Sequence, residues 1–202
     1  MKVLTVIPAR SGSKSLIDKN IKVLKGKPLM VYSIKYSLNS SYVDKTIVST
    51  DSKDYADIAK KNGADIPFIR PLNLSLDNVQ DFPVIEHALK ASEAFYKCKF
   101  EYIILLRPTS PFRPPYLIEK GLKLLDLNPT ASSVRSVTKS DEHPYRQWVS
   151  NGVYIKGFTE KVEEPYNIPR QFLPNVYFQT GDIEIIRRST IKNGSVSGNK
   201  VI

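Results

Sequence analysis

Apolar residues along this chain alternate between short continuous runs and helical repeats. Residues 3–7 form a run rich in β-branched side chains that ends at Pro8, which is typical of a strand buried on both faces of a parallel sheet. After a polar loop, Met30, Ile34 and Leu38 recur every fourth residue and predict one apolar face of a helix. This part of the chain therefore predicts a strand, a loop and a helix, in that order.

The same alternation continues along the chain. Apolar or β-branched runs predict strands at residues 46–50, 66–69, 102–106, 131–137 and 181–186, and periodic segments predict helices at residues 55–61, 82–94 and 114–127. Strands that alternate with helices predict an α/β fold with a mostly parallel sheet flanked by helices. Ligands of such folds bind beyond the carboxyl ends of the strands, so we expect functional residues after the first strand and after residues 102–106.

Residues 140–174 interrupt this pattern. The segment is rich in proline, tyrosine and charge and has weak periodicity, so we expect an irregular excursion from the sheet. The whole chain has 202 residues, and one domain usually takes ~100–200 residues. We therefore interpret residues 1–202 as a single domain that carries the excursion.

Composition indicates a globular protein with an excess of positive charge. Apolar residues make up 41% of the chain and charged residues 25%, which argues against a disordered or fibrous protein. Lysine and arginine number 30 against 20 acidic residues, and the net charge of +10 attracts anions. Because the cations are scattered and no nucleic-acid-reading motif stands out, we expect a polyphosphate ligand and no nucleic-acid partner.

Cysteine content and hydropathy indicate a cytoplasmic location. Cys98 is the only cysteine, which excludes an intramolecular disulfide and fits a reducing compartment. No apolar stretch approaches the ~20 residues of a membrane span, and residues 3–7 are too short for a signal-peptide core. We therefore expect no membrane partner.

The loop after the first predicted strand carries candidate chemistry. Its hydroxyl, amide and cationic side chains include those of Arg10, Ser13, Lys14, Lys19 and Asn20. Small residues between them let backbone N–H groups approach phosphate oxygens, while the cations neutralise charge. The loop ends like a P-loop but lacks the first glycine of that motif, so we exclude a Walker site. A phosphate-binding loop and an ordinary basic surface loop remain the two interpretations.

The full string Ile-Pro-Ala-Arg-x-Gly-Ser-Lys-x-x-x-x-Lys-Asn at residues 7–20 resembles the signature of the CMP-sialic acid synthetase (acylneuraminate cytidylyltransferase) family. Four further stretches agree in order with that family: Val-Ser-Thr-Asp at 48–51, Pro-Phe-Ile-Arg-Pro at 67–71, Pro-Thr-Ser-Pro-Phe-Arg at 108–113 and Arg-Gln-Phe-Leu-Pro at 170–174. The resemblance spans nearly the entire chain. It implies a Rossmann-like nucleotidyltransferase (glycosyltransferase-A-like) fold.

The resemblance also implies a reaction. In that family the anomeric hydroxyl of a nine-carbon ulosonic acid, of the sialic, legionaminic or pseudaminic type, attacks the α-phosphorus of CTP and expels pyrophosphate, with Mg2+ offsetting charge. Relatives use an excursion equivalent to residues 140–174 to complete a neighbour's site. We therefore expect a homodimer whose partners are CTP and an acidic sugar.

Site residues follow from the resemblance position by position. The CTP phosphates are assigned to Arg10, Ser13, Lys14, Lys19 and Asn20, of which Arg10, Lys19 and Asn20 are also assigned to catalysis. The cytidine is assigned to Arg70 and to the chain around Asp81. The sugar is assigned to Arg107, Thr109, Ser110, Arg170 and Gln171. For Arg70 the alternative is a surface ion pair, and for the Pro-Thr-Ser-Pro turn it is a purely structural role.

Arg107 departs from the family pattern. Relatives carry glutamine before the Pro-Thr-Ser-Pro turn, so this chain replaces a neutral side chain by a fixed cation. The cation either favours a more acidic sugar or pairs with Asp81 or Asp182 and leaves specificity unchanged. Both alternatives stay open on the sequence.

The metal ligands are the second departure. Relatives carry an Asp-x-Asp pair after the segment that corresponds to residues 194–200, whereas this chain stops at Ile202. We expect either that the chain is truncated or that the metal is held by other residues. Asp182 and Glu184, on alternate positions of a predicted strand, face one way and are candidate Mg2+ ligands; the alternative is a solvated strand face.

One other function is compatible with these residues. Arg107 and the missing aspartate pair also fit a nucleotide-binding protein of the same fold without turnover. His87 and His143 have no partner at a metal-ligand spacing, so we interpret both as structural.

Overall fold

The computed structural model describes residues 2–14, 16–159 and 162–202. Its strands are β1 (Val3–Pro8), β2 (Val23–Leu24), β3 (Lys27–Pro28), β4 (Lys45–Ser49), β5 (Tyr102–Leu105), β6 (Ser133–Lys139), β7 (Trp148–Ser150), β8 (Ile155–Gly157) and β9 (Tyr177–Arg187). Its helices are α1 (Leu29–Leu38), α2 (Lys53–Lys61), α3 (Asp81–Tyr96), α4 (Leu117–Leu127) and α5 (Arg188–Lys192). None of the described helices is long and apolar enough to cross a membrane.

Five strands form the central sheet in the order β4-β1-β5-β9-β6. β1 is parallel to both β4 and β5, whereas β9 runs antiparallel to β5. The predicted α/β class is confirmed, and β9 makes the sheet mixed. The expected strand at residues 66–69, all within the described ranges, is replaced by one isolated bridge between Ile47 and Asp65. Pro67 has no N–H to donate to a ladder, which explains why pairing stops there.

The core lies on both faces of the sheet because β1 and β5 are buried on both sides. Val3 and Ile7 of β1 contribute to the cluster that includes residues of α1 and α4, while Leu4 and Val6 contribute to the cluster that includes residues of α3. All four side chains are fully buried. This alternation explains why the sequence of β1 is continuously apolar.

The predicted helices are present with small shifts of their ends. The helix expected at residues 55–61 begins at Lys53, and Ser52 caps it by accepting a hydrogen bond from the Tyr55 amide at 3.4 Å. The helix expected from residue 114 begins at Leu117. Tyr116, immediately before it, has a left-handed backbone with φ of 63°, which a continuous helix does not permit.

The described chain divides into two compact units, of which the smaller is Val137–Thr180 and the larger contains the rest. The smaller unit spans the predicted excursion at residues 140–174. Within it β7 and β8 form an antiparallel hairpin, and the Trp148 ring lies 4.4 Å from the Tyr166 ring. Arg146 donates to the carbonyl oxygens of Tyr166 and Ile168 at 3.3 and 2.9 Å, so the unit has internal contacts of its own.

Glu93, near the end of α3, is the buried anion that joins this helix to the start of α5. Its carboxylate accepts from Arg188 at 2.6 and 2.9 Å and from the Phe100 amide at 3.2 Å. Burial raises the pKa of Glu93, but the hydrogen bonds from Arg188, Lys99 and Phe100 outweigh it and lower that pKa to about 2. The charged form of Glu93 therefore stabilises the folded state.

We expect Glu93→Ala to lower the free energy of unfolding by about 3 kcal/mol, because it leaves buried donors unpaired. Urea unfolding measures the effect. Glu86→Ala is the matched control on the same helix, since Glu86 pairs with Lys90 at 2.7 Å on the surface and such pairs contribute only about 0.5 kcal/mol.

The pH dependence of this effect has a definite sign. The pKa of Glu93 is lower in the folded state, so its contribution is present above the unfolded pKa of about 4.3 and is lost as pH falls toward 2. The difference between wild type and Glu93→Ala should therefore shrink over that range. A difference that stays constant down to pH ~2 would contradict the ionic role of Glu93.

Candidate active site

A cavity of about 250 Å³ opens beyond the carboxyl ends of β1 and β5. β1 is parallel to its neighbours on both sides, so the ends of all three strands meet at one edge and the crevice forms there. The lining residues are Pro8, Arg10, Ser13, Lys19, Asn20, Arg70, Leu74, Leu76, Asp77, Val79, Asp81, Val84, Arg107, Pro108 and Thr109. Eight of the predicted site residues are therefore brought together.

The loop after β1 is shaped by the end of β4. Asp51 accepts from the Ser11 amide at 2.9 Å and from the Ser11 hydroxyl at 2.8 Å. On the other side, buried Asn20 donates to the Arg10 carbonyl at 3.0 Å. These bonds fix the backbone from which the Arg10 and Ser13 side chains extend to the cavity.

Arg10 and Lys14 converge on one carboxylate. Asp77 accepts from Arg10 Nη2 at 2.5 Å with one oxygen and from Lys14 Nζ at 2.5 Å with the other. The hydrogen bond from Lys14, followed by that from Arg10, holds the pKa of Asp77 below its usual range. Lys14 does not line the cavity itself and reaches it through Asp77. The two cations are thus placed to bind anionic oxygens.

Arg70 is a buried cation at the end of β4. Its guanidinium donates to the Ser49 hydroxyl at 3.0 Å and to the Ser49 carbonyl, and only 4% of the residue is exposed. Burial lowers the pKa of Arg70 to about 10, with Asp51 opposing that shift and Arg10 adding to it. This burial excludes the alternative of a solvated surface ion pair.

Arg107 is held by two carboxylates from different elements. It forms a two-point contact with Asp81, the first residue of α3, at 3.2 and 2.6 Å. It also donates to Glu184 of β9 at 2.7 Å. Burial lowers the pKa of Arg107, but the bonds to Asp81 and Glu184 outweigh it and raise that pKa above its ordinary value. Of the two partners that the sequence suggested, Asp81 is used, and Glu184 takes the place of Asp182.

Glu184 does not fit the predicted role of a Mg2+ ligand. Only 2% of its side chain is exposed, and its second oxygen accepts from Arg135 at 2.5 Å. Both oxygens therefore already face guanidinium groups, which neutralise the carboxylate and repel a divalent cation. Among the described residues no cluster of three or more histidine, cysteine, aspartate or glutamate side chains is arranged to hold a metal, and Asp182 belongs to no such cluster. The alternative of a solvated strand face does not fit Glu184 either.

Thr109 and Ser110 have different positions in the Pro-Thr-Ser-Pro turn. Thr109 is exposed and lines the cavity. Ser110 donates its hydroxyl to the Gly181 carbonyl at 3.1 Å and its amide to the Arg107 carbonyl at 3.2 Å. Ser110 therefore ties the turn to the strand β9, which fits the structural alternative for this residue.

Arg170 and Gln171, the remaining predicted contacts of the sugar, belong to the smaller unit. Both are exposed in a 3-10 turn, Arg170–Phe172. His87 packs edge-on against Phe68 with ring centroids 4.8 Å apart. His143 accepts from the Tyr145 amide at 3.1 Å and caps a turn. These contacts agree with structural roles for both histidines.

Residues 4–148 match the sequence family described as "Cytidylyltransferase". The chain belongs to the cytidylyltransferase family. It is 42% identical over 141 residues to an N-acylneuraminate cytidylyltransferase of Escherichia coli O18:K1:H7, a match that covers 70% of this chain and 32% of the relative. It is 40% identical over 140 residues to a CMP-N,N'-diacetyllegionaminic acid synthase of Legionella pneumophila, covering 68% and 58% of the two chains.

A third relative matches over nearly the whole chain. Post-translational flagellin modification protein B of Campylobacter coli is 30% identical over 200 residues, which cover 98% of this chain and 83% of the relative. The chain spans about a third of the length of the first relative and less than three fifths of the second.

Solved structures show that the fold is that of nucleotidyltransferases. CMP:2-keto-3-deoxy-manno-octonic acid synthetase complexed with CTP superposes with a TM-score of 0.71 at 20% identity, over 96% of this chain and 77% of that chain. 4-Diphosphocytidyl-2C-methyl-D-erythritol synthase of Anaerococcus prevotii gives a TM-score of 0.62 at 15% identity, over 99% and 79%. The predicted fold class is confirmed.

Three residues in or beside this candidate site were not assigned to substrate, catalysis or metal from the sequence. Asp51 shapes the loop after β1, Asp77 bridges Arg10 and Lys14, and Arg113 holds the turn after β5. Asp51 and Arg113 lie inside stretches that resemble the family, so the motifs contained a signal for them. Asp77 comes shortly after the stretch at residues 67–71 and belongs to the same resemblance, so the sequence contained a signal for it too.

Proposed function

We propose that this chain transfers CMP from CTP to the anomeric hydroxyl of a nine-carbon ulosonic acid and releases pyrophosphate. The observation that carries the proposal is the convergence of Arg10 and Lys14 on a single carboxylate beside a cavity at the end of β1. Two cations that bind the oxygens of Asp77 can bind phosphate oxygens in the same way. Membership of the cytidylyltransferase family supports CTP as the source of those phosphates.

The CTP side of the site is assigned to the loop after β1 and to Arg70. Arg10, Lys14 and Lys19 neutralise the triphosphate, while Ser13 offers a hydroxyl to it. Asn20 acts by holding the Arg10 carbonyl, since its amide is already bonded there. Arg70 and the chain around Asp81 lie along the same cavity and are proposed to contact the cytidine.

The proposed chemistry forms one bond and breaks one bond. The anomeric oxygen bonds to the α-phosphorus, the bond from that phosphorus to the bridging oxygen of the β-phosphate breaks, and the proton of the attacking hydroxyl passes to water. Pyrophosphate leaves with the bonding electrons. The negative charge that accumulates on the phosphate oxygens and on the leaving group is stabilised by Arg10, Lys14 and Lys19.

The acceptor side is assigned to Arg107 and Thr109, which line the cavity from the turn after β5. Similar proteins are named as cytidylyltransferases of N-acylneuraminate and of pseudaminic acid and as a synthase for CMP-diacetyllegionaminic acid, and all three of these sugars are acidic. A cation at the sugar site suits such a carboxylate. Arg170 and Gln171 remain predicted contacts of the sugar.

Three further parts of the proposal come from the family resemblance. Mg2+ is proposed as the cofactor that offsets phosphate charge, but the carboxylates of Asp182 and Glu184 are not assigned to it. A homodimer formed through residues 140–174 and a cytoplasmic location both remain predictions.

We expect Mg2+-dependent pyrophosphate release from CTP with at least one member of a panel of sialic, legionaminic and pseudaminic acids. The assay is run with this chain and with the longest reading frame that contains it. The CMP-sugar should form at a rate proportional to protein concentration and only when both substrates are present. Binding of CTP without product from any of these sugars would instead support a nucleotide-binding protein without turnover.

A further inference from the structure

Arg113 lies outside the residues assigned to substrate, yet it is bonded at three points beside the cavity. Its guanidinium donates to the Ser33 hydroxyl of α1 at 3.0 Å, to the Arg107 carbonyl at 2.6 Å and to the Asp182 carbonyl of β9 at 2.5 Å. One side chain therefore joins a helix, the turn after β5 and the middle of the antiparallel strand β9.

The Arg107 carbonyl oxygen accepts three hydrogen bonds, from three different residues. It accepts from Arg113 Nη2, from the Ser110 amide at 3.2 Å and from the Ser33 hydroxyl at 3.3 Å. Ser33 is fully buried, so the position of its hydroxyl is set by the packing of α1. The hydrogen bonds from Ser33 and Arg113 to this carbonyl thus fix the direction in which the turn leaves β5. Thr109 lies within this turn.

The same strand holds the turn from its other side. Ser110 donates to the Gly181 carbonyl, next to the Asp182 carbonyl that Arg113 uses. Two residues further along β9, Glu184 binds the Arg107 side chain. β9 therefore holds both the side chain of Arg107, through Glu184, and its backbone, through Arg113.

Burial of the Arg113 guanidinium costs free energy of desolvation. This cost indicates that the arrangement of its hydrogen bonds has a role. The three oxygens that it bonds are uncharged, and burial lowers its pKa to about 10 against the opposing effects of Asp182 and Tyr36. Packing alone would be served by an apolar side chain of similar size without the desolvation of a charge. The planar fork of arginine, in contrast, fixes several acceptors in defined directions at once.

We propose that Arg113 is a positioning residue for the acceptor side of the cavity, where it fixes the turn that presents Arg107 and Thr109. The proposal rests on the proposed cytidylyl transfer for the identity of the acceptor. Whether Arg113 fixes the turn can be tested without turnover, because a more mobile turn is detectable without substrate.

Hydrogen exchange of the Ser110 amide in Arg113→Met tests the proposal directly. We expect exchange at Ser110 to speed up by about 10-fold or more, because the carbonyl that this amide bonds loses its strongest support. Arg113→Lys should give a smaller change, since lysine keeps the charge but not the fork. Ser33→Ala removes one donor and leaves Arg113 in place, so it serves as a milder second variant if Arg113→Met does not fold.

Arg187→Lys is the matched control. Arg187 also donates to uncharged oxygens, those of Ala131 at 2.7 Å, Tyr102 at 2.9 Å and Leu125 at 2.6 Å, but it pairs with the opposite end of β5. This variant should lower the thermal midpoint while exchange at Ser110 stays within about two-fold of wild type.

Kinetics provide the second readout. In Arg113→Met we expect the KM for the sugar to rise about 10-fold and kcat to fall about 10- to 100-fold, with the KM for CTP within about two-fold of wild type. Arg113→Lys should recover part of both losses. Wild-type protection of Ser110 in Arg113→Met, or equal kinetic effects in Arg113→Lys and Arg187→Lys, would overturn the proposal. An inactive wild type would refute the proposed function, and hydrogen exchange would still decide on Arg113.

Discussion

Arg10→Ala is expected to lower kcat/KM for CTP by about 10²–10³-fold, which makes it one of the two largest effects that the structure predicts. Arg10 lines the cavity and binds one oxygen of Asp77 at 2.5 Å, so its guanidinium already holds an anion in the protein without nucleotide. During transfer of CMP, charge accumulates on the phosphate oxygens. Loss of a fixed cation from that point raises the barrier more than it weakens ground-state binding.

Steady-state kinetics with saturating sugar measure this effect, and Lys22→Ala is its control. Lys22 lies just after the 3-10 turn Lys19–Ile21, is exposed and does not line the cavity. Its removal lowers the net charge by the same amount, so it should change kcat/KM for CTP by no more than about two-fold if position decides the effect. Equal losses in the two variants would show that Arg10 acts only through the overall field of the protein.

The fold could be predicted from the sequence where local pattern determines structure. β1 and β5 are buried on both faces and read as continuous apolar runs, while α1 and α3 show helical spacing. The direction of β9 was not predicted, because an alternating pattern, although common in antiparallel strands, does not identify the partner strand. Its pairing with β5 joins residues far apart in sequence, and no local signal reports such contacts.

The candidate site shows the same limit. The loop after β1 was predicted because its residues form a continuous motif, and all of its assigned side chains lie in the cavity or bind a residue that does. Glu184 could not be predicted as the partner of Arg107 from a local motif, because the two residues are 77 positions apart in the sequence. The register that places Glu184 opposite Leu105 decides which carboxylate Arg107 meets, and this register depends on the complete sheet.

Glu184→Ala is expected to lower the free energy of unfolding by about 3–5 kcal/mol. Its carboxylate joins Arg107 at 2.7 Å to Arg135 at 2.5 Å, and only 2% of its side chain is exposed. Removal of this buried anion leaves two guanidinium groups facing each other without their shared partner. Urea unfolding measures the loss, and Glu86→Ala at the surface again supplies the comparison, with about 0.5 kcal/mol expected.

A double-mutant cycle separates the ionic contact from simple packing. Arg107→Gln introduces the side chain that the resembling family carries at this position, and by itself it leaves Glu184 paired with Arg135. If Arg107 and Glu184 interact directly, the loss in the double variant will be smaller than the sum of the two single losses, by about 1–3 kcal/mol. Additive losses would show that the contact contributes no stability. A coupling of this size would mean that Arg107 is anchored to β9 before any sugar binds, so that a sugar carboxylate has to compete only with the more exposed Asp81.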